Sequence, residues 1–108
     1  MNVNILGTEY EITESSRDND VRLENTDGYV DHTTKRIVID EMKPREDSLA
    51  LLETYKRKVI RHEVIHAFLI ESGLSSNSWG ENEEIVDWIA LQFPKIRKVI
   101  DEIYGGEK

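Results

Sequence analysis

The sequence predicts an α+β domain in which a small, mainly antiparallel sheet comes first and helices follow. Through about the first forty residues, apolar and polar side chains alternate in short runs, as they do in half-buried strands. From residue 48 onward, apolar residues recur every three or four positions, which is typical of amphipathic helices. A chain of 108 residues has room for one domain with one modest core.

The first forty residues contain several short strand candidates. Residues 2–13 hold two runs that flank Gly7 and Thr8, and they predict two strands joined by a tight turn. Further candidates lie at 21–23, 28–30 and 36–40, with polar turn residues between them. The last of these, RIVID, has the clearest strand composition because it is rich in β-branched residues.

The rest of the chain predicts three helices. A long helix is expected over 48–72, with Ser48 able to cap its start and Gly73 placed to end it. A second helix is expected from about Glu81 to Phe93. Pro94 then either kinks that helix or opens a third, amphipathic helix that reaches residue 104.

Composition excludes several classes of function. The chain has 22 acidic and 14 basic residues, a formal net charge of -8, and this sign argues against nucleic-acid binding. It has no cysteine, so a transition-metal site must use His, Asp or Glu. It shows neither a secretory signal pattern nor an apolar run of membrane-spanning length, and the expectation is a cytoplasmic protein without a membrane partner.

The strongest chemical signal is the motif His62-Glu63-Val64-Ile65-His66 inside the first predicted helix. Two histidines four residues apart lie one turn apart on the same helical face, so both imidazoles can reach one zinc ion. Glu63 then lies beside the position where a zinc-bound water would sit, and its carboxylate can act as a general base. The motif predicts a zinc metallopeptidase.

A catalytic zinc site usually takes three protein ligands, and the third must come from outside this motif. No histidine follows His66. A downstream carboxylate is the natural candidate, and the segment NEEIVD at 82–87 supplies several on the next predicted helix.

The pair of segments HEVIH and NEEIVD resembles the gluzincin arrangement of thermolysin-like enzymes. The resemblance implies that Glu83 is the third zinc ligand and that Asp87 orients His62 through its second ring nitrogen. Glu84 is the alternative ligand. Both glutamates also have a purely structural interpretation, since acids in a first helical turn are stabilised by the helix dipole, and Ser78 with Glu81 could form a capping box.

The chain resembles still more closely the ImmA/IrrE-like metallopeptidases of bacteria, phages and mobile elements. The resemblance covers roughly residues 28–94, and its main motifs are 62–66 and the run EEIVDWIALQFP at 83–94. It implies a minimal zincin-like fold, zinc as the cofactor, and cleavage of an intracellular protein such as a phage or mobile-element regulator.

The sequence gives no single candidate for the residue that would stabilise an oxyanion. An oxyanion donor is expected in gluzincins, and His32, Tyr55 and Tyr104 are the candidates, although each also has an ordinary structural interpretation. Strand 36–40 is a candidate edge along which an extended peptide substrate could add as a further strand.

Two other classes of function remain open at this stage. The first is a zincin-fold regulatory or interaction module that binds zinc and turns over little or no substrate. The second is a metal-free helical interaction domain in which His62 and His66 simply pack at the core.

Overall fold

The computed structural model describes residues 1–44, 50–74 and 78–105, and within these ranges the chain is an α+β domain. Its strands are β1 (Asn2–Ile5), β2 (Thr8–Ser15), β3 (Gly28–Asp31) and β4 (Arg36–Asp40). Its α-helices are α1 (Leu52–Glu71) and α2 (Glu83–Tyr104). Neither of these helices is both long and apolar enough to cross a membrane.

The four strands form one mixed sheet in the order β1, β2, β4, β3. The β1–β2 and β3–β4 pairs are antiparallel and the β2–β4 pair is parallel, so the prediction of a mainly antiparallel sheet is confirmed. Leu6 and Gly7 both have positive φ, as a two-residue hairpin turn between β1 and β2 requires.

Strand β4, the RIVID segment, lies between β2 and β3, so its prediction as an open edge is wrong. Its residues 37–40 are all buried, which explains why its composition is nearly continuously apolar. The strand at this edge of the sheet is β3.

The strand predicted at 21–23 is also wrong, because Val21–Leu23 forms a short 3-10 helix. The Asp20 side chain accepts a hydrogen bond from the Arg22 backbone N–H at 3.0 Å and caps this turn. Leu23 is fully buried, whereas Val21 is exposed. A three-residue apolar pattern is too short to distinguish a strand from a capped turn.

Helix α1 packs on the sheet and closes the core. Val59 and Ala67 pack with buried side chains of the first, second and fourth strands, namely Ile5, Tyr10, Ile37 and Ile39. The helix is shorter than the predicted 48–72. Ser48, the predicted cap, lies outside the described residues, and the chain leaves the helix through Ser72 and Gly73, which has φ +104°.

Helix α2 is continuous through Pro94, so the prediction of separate ligand and C-terminal helices is wrong. A proline inside a helix cannot donate to the carbonyl four residues earlier, which here belongs to Ala90. That oxygen instead accepts a hydrogen bond from Arg61 Nε at 2.8 Å. The contact from α1 therefore replaces the bond that Pro94 removes, and the helix runs on to Tyr104.

The start of α2 also differs from the prediction by two residues. Ser78 caps a separate 3-10 helix, Trp79–Glu81, rather than α2 itself. Asn82 Oδ1 accepts a hydrogen bond from the Ile85 backbone N–H at 2.9 Å and caps α2, which begins at Glu83. Glu81 is therefore outside the α-helix, and Glu83 and Glu84 occupy its first turn.

Candidate metal centre

Three side chains from the two helices converge at one point. His62 and His66 lie one turn apart on α1, and their Nε2 atoms are 3.1 Å apart. The Glu83 carboxylate reaches across from the first turn of α2, with Oε2 2.9 Å from His62 Nε2 and Oε1 2.8 Å from His66 Nε2. One donor atom from each residue lies within 4.8 Å of the others.

The second ring nitrogen of His62 points toward Asp87. His62 Nδ1 donates to Asp87 Oδ1 at 3.3 Å, which leaves the Nε2 lone pair facing His66 and Glu83. Lys58 Nζ approaches the same carboxylate, at 2.9 Å from Oδ1 and 3.2 Å from Oδ2. The Lys58 hydrogen bond is the main cause of a lowered pKa at Asp87, so Asp87 stays ionised as a hydrogen-bond acceptor for the imidazole.

Glu63 lies next to the two histidines in sequence but in a different environment. Its side chain is buried, with 7% of the residue exposed. The pKa of Glu63 is raised to about 7, mainly because the group is buried; His62 opposes the shift and the nearby Glu83 carboxylate adds to it. A carboxyl group with a pKa near neutrality can both take up and release a proton under physiological conditions.

The space for Glu63 depends on a glycine in the edge strand. A Cβ atom added at Gly28 would lie 3.2 Å from Glu63 Cγ and 3.0 Å from Ile39 Cδ1. Both distances are tighter than ordinary van der Waals contact. Strand β3 therefore approaches the motif helix closely at this position because residue 28 has no side chain.

These groups line an open cleft of about 770 Å³ between α1, the start of α2 and the edge strand β3. The lining includes the segment 26–30, His32, Lys58 and Asp87. Tyr55 also lines it, and its hydroxyl donates to Asp27, which is the main reason that the pKa of Tyr55 rises to about 12. Arg17 holds the same aspartate through a 2.9 Å contact to Oδ1.

The structure brings the sequence-predicted residues His62, Glu63, His66, Glu83 and Asp87 to this one cleft. Glu84, the alternative ligand, is exposed and lies outside both the donor cluster and the cleft lining. Tyr104 lies at the far end of α2 and does not line the cleft, whereas the other oxyanion candidates, His32 and Tyr55, do.

Sequence reasoning missed three contributors to the site, Gly28, Asp27 and Lys58. Gly28 was only the first residue of the strand candidate at 28–30, and Asp27 and Lys58 had no predicted role in the site. A partial signal existed for Lys58, because it precedes His62 by four residues and so lies on the same helical face. No local pattern identifies the other two, since their partners Glu63 and Tyr55 are distant in sequence.

Comparisons of the chain with protein-family models, curated proteins and solved structures find no match. Its function is therefore inferred from the chemistry of its own residues.

Proposed function

We propose that this protein is a zinc metallopeptidase of a minimal zincin-like fold, in which His62, His66 and Glu83 hold the metal and Glu63 is the general base. The observation that carries the proposal is the convergence of three donor atoms from two helices beside a buried carboxyl group, all in one open cleft. The resemblance of the HEVIH and NEEIVD segments to gluzincins agrees with this arrangement.

The donor set fits zinc in type and spacing. Two imidazole nitrogens and one carboxylate oxygen are a common catalytic zinc set. Ligands about 2.0 to 2.1 Å from a tetrahedral ion lie about 3.3 Å from one another. The two imidazole nitrogens are 3.1 Å apart, and each contacts a different oxygen of Glu83 at 2.8 to 2.9 Å. One donor atom from each residue lies within 4.8 Å of the others, so modest side-chain shifts would bring the three donors to the separations of a zinc site. Asp87 supplies the outer hydrogen bond that zinc-binding histidines generally have.

Bound zinc would supply Lewis acidity, polarising a substrate carbonyl and making water a stronger nucleophile. Residues of the chain carry out the proton transfers. Glu63 takes a proton from the attacking water through its carboxylate oxygen and returns it to the departing amine nitrogen. Burial raises the pKa of Glu63, which favours proton uptake because a more acidic carboxyl would be a poorer base. His62 is held in one tautomer by Asp87.

An extended peptide is the substrate class that the cleft suits. Strand β3 ends the sheet on this side, and its residues 28–30 line the cleft beside Glu63 and His66. An edge strand can pair with a peptide through backbone hydrogen bonds, so the peptide would lie across the metal centre. The proposed partner is thus a protein or peptide. A phage or mobile-element regulator remains the expectation from the family resemblance.

A second candidate is a zinc-binding regulatory module with little turnover. One observation favours it: the Tyr55 hydroxyl, a candidate oxyanion donor, already donates to Asp27. His32 is then the candidate that remains in the cleft lining. This module and the peptidase share the metal site and differ in what Glu63→Gln does, because only the peptidase needs a general base.

The first test is zinc content per chain after purification without added metal. We expect near-stoichiometric zinc in the wild type and in Glu84→Ala, and its loss in His62→Ala and Glu83→Ala. Glu84→Ala is a matched control because Glu84 is the other acidic residue in the first turn of α2.

The second test incubates the same purified proteins with a fluorescence-quenched peptide library. Cleavage of these peptides distinguishes a peptidase from a binding module. Turnover by the wild type that is lost in Glu83→Ala supports the peptidase. Zinc without turnover on peptides or proteins supports the module, and absence of zinc in the wild type would contradict both.

A further inference from the structure

The second half of helix α2 has little contact with the rest of the domain. Val86 and Ala90 are fully buried against the fold, but every residue over 93–100 is exposed. The first half contacts α1 through Asp87 with Lys58 and through Ala90 with Arg61. Beyond Pro94 the helix extends past these contacts.

This projecting half is nevertheless strongly apolar along one side. Five residues, here called the exposed stripe, follow one another at spacings of four, three, four and three: Ile89, Phe93, Ile96, Ile100 and Ile103. Four of them are between 44% and 63% exposed. This spacing keeps all five on one face, centred about 100° around the helix from the buried Ala90 and about 60° from the buried Val86, so the stripe adjoins the packed face. An apolar stripe of this kind normally packs against another helix.

The charges on either side of the stripe are arranged in a self-complementary way. Over residues 95–102 the basic residues come first along the helix and the acidic ones follow. Lys95 and Glu102 lie on one flank of the stripe, and Arg97 and Asp101 lie on the other, where they are 3.9 Å apart within the chain. In two antiparallel copies, with Ile96 facing Ile100, each lysine or arginine meets an acidic residue of the other copy.

We propose that the exposed stripe is covered by the same stripe of a second copy of this chain, as a two-fold antiparallel helix pair. Phe93 of one copy packs against Ile103 of the other, and Ile96 packs against Ile100. Lys95 then lies beside Glu102 on one flank, and Arg97 beside Asp101 on the other. A parallel pair would instead place like charges side by side, which disfavours it.

The size of the stripe sets the expected strength of pairing. The part that pairs in this register, Phe93 to Ile103, spans about 15 Å of helix, which places the interface at the small end for specific complexes. We therefore expect a reversible dimer with a dissociation constant of about 10 to 100 μM. Ile96 lies about 20 Å along α2 from Glu83, so the proposed pairing is separate from the metal centre.

Sedimentation equilibrium of the full chain from about 10 μM to about 1 mM tests the proposal. We expect the average mass to rise with concentration over this range, from nearer that of one chain toward that of two. Lys95→Glu and Glu102→Lys should each weaken pairing about tenfold, because each places like charges together on both symmetry-related flanks. The double variant should regain wild-type pairing to within about threefold, since it restores opposite charges.

Lys98→Glu is the matched control, because it makes the same charge change on the opposite side of the same helix and should leave pairing unchanged. Circular dichroism verifies that each variant keeps its helices. A wild-type mass of one chain at about 1 mM would overturn the proposal. A double variant that stays monomeric would overturn the antiparallel register. Monomeric protein that sediments with phosphatidylglycerol vesicles would replace the second copy with a lipid surface.

Discussion

Glu63 and Glu71 are two glutamates on the same helix, eight residues and about 12 Å apart, and their surroundings shift their pKa values in opposite directions. Burial raises the pKa of Glu63 to about 7. The pKa of Glu71 falls to about 2 because three side chains donate to its carboxylate. They are the Tyr10 hydroxyl at 2.6 Å, the Thr8 hydroxyl at 2.8 Å and the Lys35 ammonium at 3.0 Å.

The difference separates a carboxylate that holds the fold together from one that is ready to exchange a proton. Glu71 connects α1 to β2 and to the turn before β4, and its donors stabilise the charged form at any ordinary pH. Glu63 lies in the cleft, where neutral and charged forms are close in free energy. Position along a helix therefore does not define the role of a glutamate. The donors and the burial around it do.

The largest expected effect is on catalysis by Glu63→Gln. Glutamine keeps the size of the side chain and cannot accept the proton, so kcat/KM on a cleaved peptide should fall by a factor of about 10² to 10⁴. Zinc content should stay at the wild-type level. Glu71→Gln is the matched control, the same exchange on the same helix, and should keep activity within about twofold. Equal activity losses in the two variants would contradict distinct roles.

A smaller effect is expected from Gly28→Ala. The added methyl group would lie 3.2 Å from Glu63 Cγ, so the carboxylate must shift, and kcat/KM should fall about tenfold with zinc retained. Gly80→Ala is the control, because its added methyl group lies 3.1 Å from Leu74 Cβ and does not approach Glu63. Wild-type activity in Gly28→Ala would indicate that the position of Glu63 tolerates displacement.

The smallest expected effect is a pH-dependent difference in thermal stability between the wild type and Glu71→Gln. Its folded pKa of about 2 lies below the ordinary value of 4.5, so its contribution is present above about pH 4.5 and is lost as pH falls toward 2. Glu71→Gln should lower Tm by about 5 °C at pH 7. Thermal unfolding followed at several pH values should show the gap between the two proteins narrowing below pH 4.5. A constant gap would mean that the charge of Glu71 does not contribute.

Much of the fold was predictable because the patterns are local. Strand β4 has the predicted bounds, β3 differs by one residue, and most of the long helix α1 follows from its apolar spacing. His62 and His66 were predictable as neighbours because helical geometry alone brings them together. Glu83 and Asp87 entered through the resemblance to gluzincins, and the structure places both next to His62.

The parts that sequence reasoning missed depend on contacts between distant residues. Pro94 does not end α2 because Arg61 of α1 satisfies the free carbonyl of Ala90, and no pattern around the proline indicates this. The exposed position of Trp88 likewise depends on how α2 meets α1. Strand β4 lies inside the sheet, and the order of the strands along the chain does not determine their order in the sheet.

The contact between Arg61 and Ala90 also divides α2 into two parts that can change separately in evolution. Residues before Pro94 share neighbours with α1, so substitutions there are coupled to Glu83 and Asp87. Residues beyond it lack those neighbours, and their substitutions should be additive with changes in the cleft. Related sequences could therefore acquire new associations through the end of this helix while leaving the chemistry near its beginning untouched.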